Sequence, residues 1–259
     1  LPDVALFHGA AAHYAINEAS PVAFPRNNPS LLAACEALRQ LHLTPEMISD
    51  RRLANGDIRA KVLICENTPV FTDANRQALR RYVENGGRIL LTGNAISQSG
   101  LTGATTTSGL KQVAIGRGQI YLLPQLLFGK TGSANDPSPA RILEEVLPEA
   151  ERRLIAHAPE TVEITLREHQ DELILHFVNI AQGTRARDPA VKPFVALHIE
   201  AIPPAPPCRV SVALRSEPQS IELQPQGKAI RNWEWENGRV TFEVPEFDIH
   251  QMAVIRLRR

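Results

Sequence analysis

Hydrophobic positions along the chain follow two different periods. Up to about residue 150 they form short continuous apolar runs, separated by stretches in which apolar residues recur every three to four positions. From Thr161 onward apolar and polar residues alternate. In the first half, Val4-Ala5-Leu6-Phe7-His8, closed by Gly9, reads as a buried strand. A polar loop with Pro21, Pro25 and Pro29 follows. Ser30 then caps a helix whose apolar positions Leu31, Ala34, Cys35, Leu38 and Leu41 share one face. Lys61–Cys65 is the next strand, and Thr72-Asp73 opens a helix carrying Ala78, Leu79, Tyr82 and Val83, which Asn85-Gly86-Gly87 closes. Arg88–Gly93 is a strand, Ser97–Gly109 a Ser/Thr/Gly-rich loop, and Gly116–Pro124 a strand with a turn before it. Ser138-Pro139 starts a last helix through Ile142, Leu143, Val146 and Leu147. Strand–helix–strand repetition predicts a doubly wound parallel α/β sheet.

In the second half, Val162, Ile164 and Leu166 are answered by Leu173, Leu175 and Phe177 across the polar turn 168–171. Val195, Leu197 and Ile199 read as a third strand, and Pro203–Pro207 as a stiff connector. Val210, Val212 and Leu214 follow. Trp233 and Trp235 alternate before Asn237-Gly238, a hairpin signal from which Val240, Phe242 and Val244 return. Met252, Val254 and Leu257 finish the chain. The pattern predicts a small antiparallel β-sandwich. Twelve of the 15 glycines precede residue 160, and the change of period places the seam at an α/β domain over 1–155 and a sandwich over 156–259.

Lysine plus arginine and aspartate plus glutamate both number 28 in 259 residues. A neutral chain lacks the basic surplus that nucleic acid or an acidic membrane surface demands, so neither is an expected partner. No apolar run is long enough to span a bilayer as a helix. Cys35, Cys65 and Cys208 form neither a disulfide framework nor a metal motif. The eight histidines show no ligand spacing, and His176 and His198 sit on strands where either face is open to them. No metal or cofactor is expected.

The chemistry-bearing candidates are few. Cys65 follows a strand, but Glu66-Asn67-Thr68-Pro69 after it lacks the glycine-flanked turn that exposes a nucleophile. The turn after Ile89–Thr92 carries Asn94, with neither thiol nor hydroxyl. Gly100–Gly103 and Gly116-Arg117-Gly118 lack the Lys-Ser/Thr of a phosphate loop. Among the acids, Glu66 lies at a strand's carboxyl end, where open α/β sheets gather ligand groups. Asp73, Glu84, Glu144, Glu145, Glu149 and Glu151 read as helix surface. The rim set His8, Glu66 and Asn94 is the candidate ligand-binding group, and no catalytic residue is assigned.

The order of motifs resembles the middle and C-terminal domains of glycoside hydrolase family 42 β-galactosidases and related bacterial glycosidases. Phe71-Thr72-Asp73, Arg81-Tyr82-Val83-Glu84-Asn85-Gly86-Gly87-Arg88-Ile89-Leu90-Leu91-Thr92-Gly93 and Gly116–Leu122 carry the likeness in the first half. Leu175-His176-Phe177-Val178-Asn179 and Val240–Leu257, including Ile249-His250, carry it in the second. The resemblance implies a flavodoxin-like, class I amidotransferase-like sheet without the catalytic thiol, followed by the sandwich. It further implies a non-catalytic assembly region, trimeric, whose partners are an upstream catalytic barrel and carbohydrate. The start at Leu1 fits a chain that is part of its parent. Location is left open by the motifs, with the bacterial cytoplasm expected. Two other readings stand beside it: a freestanding hydrolase using Cys65, and a carbohydrate-binding module stacking sugars on Trp233 and Trp235.

Overall fold

A computed structural model describes residues 2–11, 29–101, 109–127, 138–181, 184–185 and 199–258. The chain divides into two compact units, Leu1–Arg152 and Arg153–Arg259.

The first unit runs β1 (Val4–Phe7), α1 (Pro29–Gln40), β2 (Glu46–Ile48), α2 (Asp50–Ala54), β3 (Val62–Cys65), α3 (Asp73–Glu84), β4 (Arg88–Thr92), α4 (Ala95–Ser99), β5 (Lys111–Ile115), β6 (Gly118–Leu123) and α5 (Pro139–Val146). The sheet order is β2-β1-β3-β4-β6-β5, parallel throughout except for β5, which pairs antiparallel with β6. Alternate strand residues feed two cores. Val4, Leu6, Val62, Ile64 and Leu90 meet Ala34 and Leu38 of α1 and Ile142, Leu143 and Val146 of α5. Ala5, Phe7, Leu63, Cys65, Ile89 and Leu91 meet Ala78, Leu79 and Val83 of α3. Burial on both faces is why these strands read as unbroken apolar runs.

The helix boundaries follow side-chain chemistry. Thr72 accepts a bond from the Asn75 N–H at 3.2 Å, and Ser138 accepts one from Arg141 at 3.4 Å. α3 ends with the Gly86 and Gly87 amides donating back to the Val83 and Tyr82 carbonyls, both at 2.9 Å, with Gly86 at φ +104°. Gly118 serves a different need: a Cβ there would sit 2.2 Å from the Val83 carbonyl oxygen and 2.3 Å from that of Gly87. Only glycine lets β6 approach the end of α3 this closely.

α1 begins at Pro29, so Ser30 lies in its first turn rather than capping it, and three further elements depart from the sequence expectation. β2 and α2 leave no trace in the hydrophobic pattern, since three strand residues and one helical turn are too short to show a period. β5, exposed at Lys111, Gln112 and Ala114, is an edge strand that pairs antiparallel with β6, so the sheet is mixed rather than wholly parallel. The expected loop over Ser97–Gly109 begins inside α4, and residues 102–108 lie outside the described residues.

The second unit is antiparallel. β7 (Leu154–His157), β12 (Cys208–Ala213), β15 (Trp233–Glu236) and β16 (Arg239–Val244) form one sheet in the order β15-β16-β12-β7. β8 (Val162–His169), β9 (Glu172–Asn179), β13 (Pro218–Gln224), β14 (Lys228–Ala229) and β17 (His250–Leu257) form another, ordered β14-β13-β17-β9-β8. β10 (Thr184–Arg185) and β11 (Ile199–Ala201) make a separate pair. Val162, Ile164, Leu175 and Phe177 from one sheet share a core with Val210, Val212, Val240 and Phe242 from the other. Asn237 and Gly238 both take positive φ in the β15–β16 turn.

The sequence reading has no strand at β7 or β13, which both form, and two further details correct it. Val195 and Leu197 of the expected third strand, with His198, lie outside the described residues, and Ile199 opens β11 instead. In β17 the register pairs Ala253 with Leu175 and Met252 with His176, so Ala253 and Ile255 enter the core while Met252 and Val254 stand on the other face. The Asn179 that ends the Leu-His-Phe-Val-Asn run is 5 % exposed. Its Nδ2 donates to the carbonyls of Pro203 and Asp248 at 2.8 and 2.7 Å, tying two connectors to the end of β9.

Candidate functional site

The chain leaves β1 by α1, on one face of the sheet, and leaves β3 by α3, on the other, so its direction reverses between neighbouring β1 and β3. The carboxyl ends at such a reversal are where open α/β sheets hold ligands. His8, Glu66 and Asn94 occupy the carboxyl ends of β1, β3 and β4, as their sequence positions require.

Their environments differ. Glu66 is 3 % exposed, and its Oε2 accepts the Thr92 hydroxyl at 2.6 Å. The same hydroxyl oxygen accepts the Asn67 N–H at 3.0 Å, and the Asn67 side-chain oxygen accepts the Asn94 N–H at 3.1 Å. Asn67 takes φ 44°, and Gly93, at φ 51°, leaves space that a Cβ would lose, 2.7 Å from Asn67 Oδ1. The acid, the hydroxyl and the left-handed asparagine thus brace the turn after β3 against the turn after β4. Asn94 contributes its backbone to this network, and its side chain is exposed. His8 is half-buried, and its amide donates to the Ile48 carbonyl at 2.9 Å.

Sequence reasoning missed the second carboxylate of this end. Asp50, the first residue of α2, accepts the Asn75 side-chain amide at 2.5 Å and the backbone N–H of Ala10. Asp50 and Asn75 lie 25 positions apart with no motif between them, so only the fold reveals the pair. Asn67 carried a legible signal, because asparagine following a strand is among the few residues that accept the left-handed region.

The remaining acids behave as surface charges. Asp73 pairs with Arg76 at 2.6 Å, Glu144 with Arg152 at 2.6 Å, Glu145 with Arg141 at 3.7 Å and Glu151 with Arg88 at 2.8 Å. Cys65 is wholly buried, and burial pushes its thiol far above the ordinary thiol range. A neutral thiol without solvent contact is a packing group rather than a nucleophile. Tyr82, pushed up to about 12 by burial, donates its hydroxyl to the Ala60 carbonyl at 3.1 Å.

In the second unit, Trp233 and Trp235 are half-buried and pack against the sandwich core. An open cleft of about 650 Å³ lies beside the β8–β9 turn, lined by Asp171, Glu172, Gln219, Arg256 and Arg258 among others. Arg256 there is held by Glu172 at 3.1 Å and Glu222 at 2.9 Å. Among the described residues no three His, Cys, Asp or Glu side chains gather as metal ligands, and no helix is long and apolar enough to cross a membrane.

No protein-family model matches the chain, and no curated protein matches it. Solved structures do. Over 100 % of its length the chain shares the fold of part of α-L-fucosidase isoenzyme 2 from Paenibacillus thiaminolyticus, with 15 % identity and a TM-score of 0.65. A GH42 β-galactosidase from G. stearothermophilus matches over 100 % of the chain, with 11 % identity and a TM-score of 0.60. The β-galactosidase of Bacillus circulans sp. alkalophilus matches over 98 %, with 13 % identity and a TM-score of 0.58. The chain spans 49 %, 40 % and 41 % of those three proteins.

Proposed function

We propose that the chain is the assembly and accessory region of a larger glycoside hydrolase, a flavodoxin-like, class I amidotransferase-like unit followed by a β-sandwich, with no chemistry of its own. One observation carries this reading. Both units together, over 98–100 % of the chain, recur as less than half of a fucosidase and of two β-galactosidases. The local chemistry supports it. The strand-end acid Glu66 is spent on bracing two turns, Asn94 stands where a nucleophile would be needed, and Cys65 is buried in the core. The rest of the parent enzyme supplies the catalytic acids, and this region holds copies of it together as a trimer that presents their active sites to carbohydrate.

The test has two arms. The purified chain is assayed on nitrophenyl galactosides, fucosides and arabinosides, and its mass is measured by light scattering over a concentration series. The expected result is no turnover and a species near three times 28.5 kDa. Turnover that co-purifies with the chain overturns the non-catalytic role. A monomer at every concentration overturns the assembly role.

A further inference from the structure

The outward face of the five-stranded sheet carries a group of donors that an assembly role leaves unused. Nδ1 of His176, on β9, lies 3.3 Å from Nε2 of His250, on β17. Their ring centres are 5.5 Å apart and their planes 13° from parallel. The centres are farther apart than the nitrogens by about two ring radii, so the rings meet nitrogen to nitrogen rather than face to face. One ring donates its N–H and the other accepts on a bare lone pair. Met252 completes the group. It opposes His176 directly in the register of β9 and β17, and it lies two residues from His250 on the same strand. The two-residue period of a strand therefore puts all three side chains on one face. His250 is exposed, while His176 and Met252 are half-buried beside Ile174, Val178 and Val254.

We propose that His176, His250 and Met252 form a binding site for copper(I). Two imidazole nitrogens bound to one metal at about 2.0–2.1 Å, with an angle between tetrahedral and trigonal, stand about 3.3–3.6 Å apart. The observed 3.3 Å falls at the near end of that range. The cation takes the place of the shared proton, which moves to the far nitrogen of the donating ring. Both rings turn about their side-chain bonds, so that lone pairs now in line with each other converge on the metal beside the N–N axis. The Cβ atoms of directly opposed residues in an antiparallel pair lie about 4.5–5.5 Å apart, within reach of the long unbranched methionine. The donor chemistry selects the metal. A thioether with two neutral imidazoles is a soft set, which suits copper(I) better than zinc or magnesium. The half-buried apolar neighbours also favour a singly charged ion over a doubly charged one.

The test uses the full chain carrying Cys35→Ser, which removes the half-buried thiol, while Cys65 and Cys208 are buried in the cores. Copper(I) is titrated anaerobically, with reductant, against a chromophoric copper(I) chelator. The expected result is one equivalent withdrawn from the chelator. His250→Ala weakens binding at least about tenfold, because even an outer partner of a metal ligand is worth about 10–100-fold. Met252→Leu, close in volume, weakens copper(I) at least about tenfold and leaves nickel(II) binding unchanged, since nickel(II) takes the imidazoles and not the thioether. Tryptophan emission verifies that each variant keeps its fold. Failure to withdraw copper, or unchanged affinity in His250→Ala, overturns the site. Unchanged copper(I) affinity in Met252→Leu overturns the assignment to copper(I).

Discussion

The Thr92 hydroxyl donates to the Glu66 carboxylate at 2.6 Å while accepting the Asn67 amide at 3.0 Å, with the Thr92 and Glu66 side chains almost free of solvent. A single oxygen thereby serves a buried acid and the first amide of a left-handed turn. Thr92→Val, which keeps the shape and deletes the hydroxyl, is expected to destabilise the first unit by about 2–3 kcal/mol, because each buried polar group then loses a partner. Thr92→Ser keeps the oxygen and costs about 1 kcal/mol for the lost methyl. All described helices belong to the first unit and both tryptophans to the second. Urea melts followed by far-UV circular dichroism therefore report on this unit. Equal melts for the valine and serine variants would contradict the bracing role.

Cys65 provides a test of the non-catalytic reading. Its thiol has no solvent contact, and its ionisation is pushed up by burial. Iodoacetamide at neutral pH is expected to modify half-buried Cys35 first and to reach Cys65 only at the rate at which the unit unfolds. Peptide mapping over a time course gives the answer. Selective labelling of Cys65 in the folded protein would mark an activated nucleophile.

Gly118 allows β6 to press against the end of α3. Gly118→Ala drives a methyl into the Val83 and Gly87 carbonyl oxygens, and a backbone neighbour cannot swing aside as a flexible side chain can. The expected loss is about 3 kcal/mol. Gly227, at φ +66° with nothing within 4 Å of where a methyl would sit, is the control: alanine there meets only the left-handed penalty of about 1–2 kcal/mol. Circular dichroism follows the first substitution and tryptophan emission the second. A Gly118→Ala melt that matches the parent would show that the close approach is not what fixes glycine there.

Trp235 separates core from sugar platform. Packed against the sandwich core from edge strand β15, it is expected to cost about 3 kcal/mol on truncation to alanine, read from the emission of the remaining Trp233 in urea. Calorimetric titration of the parent with oligosaccharides is expected to give no heat that Trp235→Ala abolishes. Loss of sugar binding without loss of stability would reverse the assignment.

Arg153 holds Glu168 across 3.0 Å and keeps its carboxyl below the ordinary value of 4.5. The folded unit therefore releases this proton more readily than the unfolded chain. The resulting stability is fully present above about pH 4.5 and is lost as the pH falls through the lower folded-state value. The pair is partly exposed, so its worth is about 0–1 kcal/mol. Urea midpoints of Glu168→Gln and the parent, followed by tryptophan emission, are expected to differ at about pH 6 and to converge near pH 3. A difference that persists at the acid end would show that the carboxylate charge is not the cause.

The period of the hydrophobic pattern determined the division into an α/β half and an all-β half, because a strand buried on both faces and a strand buried on one leave different traces in the chain. Thr72, Ser138, the Asn85-Gly86-Gly87 stop and the Asn237-Gly238 turn were legible for the same local reason: a cap or tight turn is satisfied by residues within about four positions. The tertiary structure decided what depends on distant partners. The edge strand β5 and the three-residue β2 exist by pairing with β6 and β1, and neither carries a period of its own. Strand position alone puts His8, Glu66 and Asn94 at one end of the sheet, yet the bond from Thr92 to Glu66, and the Asp50–Asn75 pair, depend on residues 26 and 25 positions apart. Likewise the order of residues shows His176, His250 and Met252 as members of two alternating strands. Only the register of β9 against β17, held by backbone hydrogen bonds that ignore side-chain identity, brings two imidazoles and a thioether onto one face.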